Sequence, residues 1–183
     1  MTFFLILAPF AAFAGLSYVA SQTLALLAAA VVALALTGVD HVRGRSAKLL
    51  NIMAALMFLA LGGYFALTGS EWSPVHVRVT LNGVTLSVIL LSIAVGFPFT
   101  LQYARELVDP ETLKLPGFLY VNYVLSWAWA GVLALMFAAN LLAIYLPSLP
   151  LWAGVVATFV LRNSAVQFSK WYPRHFREVA AAN

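Results

Sequence analysis

The sequence predicts an all-α, polytopic membrane helix bundle, and three observations carry that prediction: the density of apolar residues, their arrangement in runs of membrane-spanning length, and the gathering of cations between those runs. Of 183 residues, 63% are hydrophobic and 9% are charged, against roughly 25% charged and 45–50% apolar in an ordinary soluble domain. A soluble fold of this size has too little interior to hide so much apolar surface. Helices are required because lipid offers no partner to backbone N–H and C=O groups, and the runs are too uniformly apolar for the alternating strands of a barrel. Connectors this short leave no room for a second globular unit, so a single domain over 1–183 is expected.

A span needs about 20 helical residues. The first apolar run covers residues 3–37 and would reach about 52 Å as one helix, too long for a single crossing. Gly15-Leu16-Ser17 and Ser21-Gln22-Thr23 offer a turn. The run therefore divides into spans 3–17 and 22–38, or into one span and an interfacial helix. Pro9 falls inside the first piece, where a kink is expected. Further spans are predicted at 49–67, 81–101, 118–146 and 151–168, giving about six. Pro98 is expected to kink the fourth or mark its exit from the hydrocarbon, and the fifth, being longest, to tilt. Met1-Thr2-Phe3-Phe4-Leu5 has no basic n-region, so it reads as the start of a retained span rather than a signal. The echo of Ala8-Pro9-Phe10 in Phe97-Pro98-Phe99 is too short to establish an inverted repeat.

Orientation follows from the cations beside the spans. Arg43, Arg45 and Lys48 follow the second, Arg105 and Lys114 the fourth, and Lys170, Arg174 and Arg177 the sixth, whereas the opposite side carries Arg78 alone. The positive-inside rule then places those connectors and both termini in the cytoplasm. Trp72, Trp152, Trp171 and Tyr172 stand at or just beyond predicted span ends, where amphipathic rings favour the headgroup zone. A net charge of +4 carried in such connectors fits anionic lipid headgroups and not nucleic acid. The absence of cysteine excludes disulfides, thiolate metal sites and Cys nucleophiles.

Polar groups inside a membrane are costly and are therefore the first place to look for function. Arg162 lies in the last span with Asn163, Ser164 and Gln167 beside it, Asn163 and Gln167 one turn apart. Either Arg162 snorkels to the interface while the amides tie helices together, or the group forms a substrate, ion or headgroup site. In the fifth span, Asn122 and Asn140 are eighteen residues apart, which at about 100° per residue puts both on one face. Ser126, Trp129, Leu133 and Met136 fall near the same line, so the stripe is a helix seam or a cavity wall.

The segment Gln102 to Glu111 holds Glu106, Asp109 and Glu111, three of the six acidic residues. Arg105 is placed to pair with Asp109 one turn on, leaving Glu106 to neutralise Arg162 across the bundle; a solvated loop is the plainer expectation. His41, His76 and His175 are predicted in loops on both sides of the membrane, with no spacing suited to a metal or haem. There is no Gly-rich phosphate loop, Gly-x-Ser-x-Gly elbow or His-Glu-x-x-His. No catalytic residue, metal or cofactor is assigned.

Leu115-Pro116, Asn122, Trp127-Ala128-Trp129, Asn140, Tyr145-Leu146-Pro147 and Trp152 occur in that order, after a Pro9-containing first span and a basic connector following the second. In this the chain resembles the bacterial intracellular septation protein A family. The specific part of the likeness covers about residues 115–152, and neither Gln102-Tyr103-Ala104-Arg105-Glu106 nor Arg162-Asn163 belongs to that pattern. The resemblance implies a non-enzymatic envelope protein of the inner membrane, working through contacts with the division and wall-synthesis machinery.

The leading expectation is thus a bacterial inner-membrane protein acting through membrane lipids, other membrane proteins or a second copy of itself. Two alternatives stand beside it. One is a small transporter or channel with Arg162, Asn163, Gln167 and the Asn122–Asn140 stripe lining a cavity. The other is a headgroup-modifying enzyme using Arg105 and Glu106, near Gln102, at the cytoplasmic surface.

Overall fold

The computed structural model describes residues 8–46, 48–146 and 151–182, the side chains of 116, 151–155 and 180–182 excepted. Their regular secondary structure is all helical: α1 Ala8–Leu16, α2 Gln22–Val42, α3 Leu49–Thr68, α4 Pro74–Ala94, the short α5 Thr100–Ala104, a 3₁₀ turn Thr112–Lys114, α6 Pro116–Tyr145 and α7 Leu151–Ala182. Four of them, α2, α3, α4 and α6 from Gly117, are long and apolar enough to cross a membrane, which marks the chain as a membrane protein. Residues 3–7 of the first predicted span lie outside the described residues, and α1 covers the rest. The described part of α7 is not among the four, because Arg162, Asn163, Gln167 and Lys170 dilute its apolar run.

The chain forms two compact units, Met1–Val77 and Arg78–Asn183. In the first unit the Ser21 hydroxyl caps α2 by accepting the Leu24 N–H at 3.3 Å, using one of the orphan donors of a helix start. Ala25, Leu26, Ala29, Ala30 and Ala33 recur at helical spacing and are completely buried. Such small side chains let a neighbouring helix approach closely: at Gly62 of α3 a methyl group would already stand 3.0 Å from the Leu27 side chain. Phe58 of α3 meets Phe10 and Phe13 of α1 with ring centroids 5.4 and 5.9 Å apart. The α2–α3 connector turns at Gly44 (φ 66°), and Arg45 pairs with Asp40 at 3.8 Å. Lys48, expected in a solvated connector, is instead buried, its ammonium donating to the Ser46 hydroxyl at 3.2 Å.

In the second unit α4 and α6 run antiparallel, since Gly83 abuts the Phe137 ring while Gly96 lies near the Tyr123 hydroxyl. The α6–α7 pair is antiparallel as well: the Trp129 indole donates to the Ser169 hydroxyl at 3.0 Å, and Tyr120 lies against Phe176 with centroids 6.0 Å apart.

Three sequence expectations are corrected here. The fourth span, expected at 81–101, runs 74–94: Pro74 is a favourable first helical residue, and the following His76, Arg78, Thr80 and Asn82 do not prevent a helix whose backbone bonds are internal. Arg78 is accordingly inside α4, not in a connector. Its far end is closed by Gly96 at φ 79°, whose N–H reaches Ile93 O while Phe97 N–H reaches Ser92 O, the paired bonds of a Schellman stop; Pro98 then disfavours helical backbone at Phe97. The last helix, expected to end at 168, continues to Ala182 through Pro173. Finally, His41 and His76 lie on helix ends and His175 within α7, not in loops.

Candidate functional site

Where α4 stops and α5 begins, the chain passes through buried Pro98, Phe99 and Thr100. Backbone in such a place must find hydrogen-bond partners other than water. Side chains provide them. The Ser92 hydroxyl donates to Ile89 O at 2.7 Å and accepts from Phe99 N–H at 3.2 Å. The Thr100 hydroxyl donates to the backbone carbonyl of Asn122 at 2.8 Å and lies 2.9 Å from the Ser126 hydroxyl, and Thr100 N–H points to Ser126 Oγ at 3.5 Å. Asn122 Nδ2 donates to Phe118 O one turn back at 2.8 Å. Ser92, Thr100, Asn122 and Ser126 are all buried, Ser126 completely. One polar atom of this knot, Asn122 Oδ1, is shielded and has no protein donor.

The stripe that helical arithmetic draws along α6 is buried along its whole length: Asn122, Ser126, Trp129, Leu133, Met136 and Asn140. Its two amides bond to their own helix, Asn140 Nδ2 reaching Met136 O at 2.7 Å, while Ser126 meets Thr100 and Trp129 meets Ser169. Sequence reading missed Ser92 and Thr100; the signal for them was the Gly96-x-Pro98 break, which leaves backbone donors needing nearby hydroxyls.

The polar group on α7 is arranged differently. Arg162 is half-buried, whereas Asn163, Ser164 and Gln167 are exposed on the side opposite buried Ala165 and Val166. Asn163 Nδ2 donates to Phe159 O at 2.8 Å. The structure therefore does not gather Asn163 and Gln167 with the α6 stripe. Val160, Asn163, Gln167, Lys170, Arg174 and Glu178 instead recur every three or four residues along one exposed face. Trp171, also exposed, stacks on His175 with centroids 4.9 Å apart and planes 11° from parallel.

In the 102–111 segment Gln102 is half-buried on α5, while Arg105 and Glu106 are exposed. Arg105 does not pair with Asp109: its guanidinium lies over the Phe97 ring at 5.1 Å, a cation–π contact. The Asp109 carboxylate accepts from Glu111 N–H at 3.0 Å, Thr112 N–H at 2.8 Å and the Thr112 hydroxyl at 2.9 Å. The backbone and side-chain donors of Thr112 hold its carboxyl below the usual carboxylate range. Capping the 3₁₀ turn thus takes the carboxylate that was expected to meet Arg105. No cluster of three His, Cys, Asp or Glu side chains suited to a metal occurs among the described residues.

No protein-family model matches the chain, and neither a curated protein nor a solved structure matches it.

Proposed function

We propose that this chain is a multi-pass protein of a bacterial inner membrane, with six crossings and both ends in the cytoplasm, which acts by contact with anionic lipid rather than by catalysis. The observation that carries the reading is the exposed face of α7. Along one line it changes from Val160 through the amides Asn163 and Gln167 to Lys170 and Arg174, with Trp171 and Arg177 beside them and Glu178 as its one acidic member. Hydrocarbon, interface and phosphate layers of a leaflet present the complementary sequence of environments, with Trp favoured at the interface and cations at the headgroups. Arg162, half-buried on the same helix, fits the role of a snorkelling side chain. Four apolar helices of spanning length support the membrane setting; α1 and α7 supply the remaining two crossings in this proposal.

An envelope role of septation type, in which the same face also meets another membrane protein, belongs to the proposal and rests on the pattern in residues 115–152. The transport reading draws less support, because Asn163 and Gln167 face outward while Asn122 and Asn140 are buried.

The test is thermal unfolding of the protein in nanodiscs of phosphatidylcholine alone and with phosphatidylglycerol added. Stabilisation by phosphatidylglycerol that is lost in an Arg174→Gln, Arg177→Gln variant is the expected result. Equal stability in both lipid mixtures contradicts the reading.

A further inference from the structure

We infer that the break between α4 and α5 holds a small monovalent cation at Asn122. The hydroxyl protons around this point are already committed. Thr100 donates to Asn122 O at 2.8 Å, so in the 2.9 Å contact between Thr100 and Ser126 the Ser126 hydroxyl is the donor. Ser92 donates to Ile89 O. One Asn122 amide proton goes to Phe118 O. What remains is acceptor capacity: Asn122 Oδ1 is shielded and unpartnered, and the Thr100 and Ser126 oxygens retain lone pairs. An acceptor left unsatisfied in a buried site is destabilising, and such an atom in a native protein is normally met by a water or an ion.

The chemistry of the knot selects among ions. Ser92, Thr100, Asn122 and Ser126 all offer neutral oxygen and all are at least nine-tenths buried. Oxygen donors suit hard cations, whereas Ca²⁺ and Mg²⁺ sites draw on carboxylates, which the knot lacks. Interrupted helices within a membrane present unwound backbone carbonyls and helix C-terminal ends that coordinate Na⁺. Here the interruption is fixed by Gly96 and Pro98, Ser92 of α4 holds the Phe99 N–H, and Thr100 of α5 meets Asn122 and Ser126 of α6. The site stands apart from the α7 face, so this inference is independent of the lipid reading.

The experiment uses the whole chain in detergent without phospholipid, which separates it from the lipid test. Thermal unfolding is measured in the chlorides of Na⁺, K⁺ and N-methylglucamine at one ionic strength, with ²³Na line broadening recorded on the same unaltered protein. A saturable rise in Tm specific to Na⁺, reaching about 5–10 °C at a hundred-fold excess over Kd, is expected, with ²³Na broadening that the variant Asn122→Leu abolishes. Equal Tm in all three salts with no ²³Na broadening overturns the site and leaves a bound water as the partner of Asn122 Oδ1. A rise common to all salts overturns it too, since it reports screening alone.

Discussion

The Thr100 hydroxyl donates to the main-chain carbonyl of Asn122 across a separation of 22 residues, tying the chain that restarts after α4 to the first residue of the buried stripe of α6. Removing that hydroxyl leaves the Asn122 carbonyl and the Ser126 hydroxyl short of a partner in a site closed to water. Thr100→Val is therefore expected to cost about 1–3 kcal/mol, while Thr100→Ser retains most of the stability. Denaturation of both variants in detergent checks the difference.

Two glycines of the second unit should respond in opposite directions to the same substitution. Gly96 sits at φ 79°, so Gly96→Ala is expected to lose about 1–2 kcal/mol to backbone strain. Gly131 lies inside α6 with nothing within 4 Å of an added methyl group. Gly131→Ala is expected to be neutral or to stabilise by up to about 1 kcal/mol. Paired thermal melts decide.

At Gly117 a methyl group would stand 2.6 Å from Phe176 Cε1, closer than atoms can approach, so Gly117→Ala must displace the ring that also lies against Tyr120 and Tyr172. A loss of about 1–3 kcal/mol is expected from overpacking. Combining it with Phe176→Leu should return part of the loss, and a double-mutant cycle measures the coupling.

The cap at Asp109 predicts a pH dependence of defined sign. Its carboxyl is held below the ordinary range by Thr112, so the folded form binds a proton less readily than the unfolded one. The stabilisation is complete above the unfolded value, about 4, and is lost as pH falls through the lower folded value. The protection factor of the Thr112 amide, its exchange rate relative to an unstructured peptide at the same pH, should fall below about pH 4 in the wild type, and Asp109→Ala should show the lower protection already at neutral pH.

Hydropathy alone made the long helices legible, because an apolar run of spanning length has few other uses. It misplaced α4 by seven residues, since His76, Arg78 and Asn82 lower the average without breaking a helix, and it ended the last helix at Phe168 where the helix continues to Ala182. The line from Asn122 to Asn140 followed from helical arithmetic, and all six of its side chains are buried. Their partners were not legible, because Thr100 and Ser169 meet α6 from 26 and 40 residues away, separations that no local pattern encodes. Asp109 was misjudged for the reverse reason: a backbone N–H three residues on competes with an arginine one turn back, and the nearer donor holds the carboxylate.

The proposed lipid contact requires α7 to emerge on the same side of the membrane as the basic connector after α2. The sequence holds no cysteine, so single cysteines report without background. With Gly44→Cys, Ser70→Cys and His175→Cys made separately in sealed inner-membrane vesicles of known orientation, an impermeant maleimide should reach positions 44 and 175 from the cytoplasmic face and position 70 from the opposite one. Labelling of 44 and 175 from opposite faces would contradict the account.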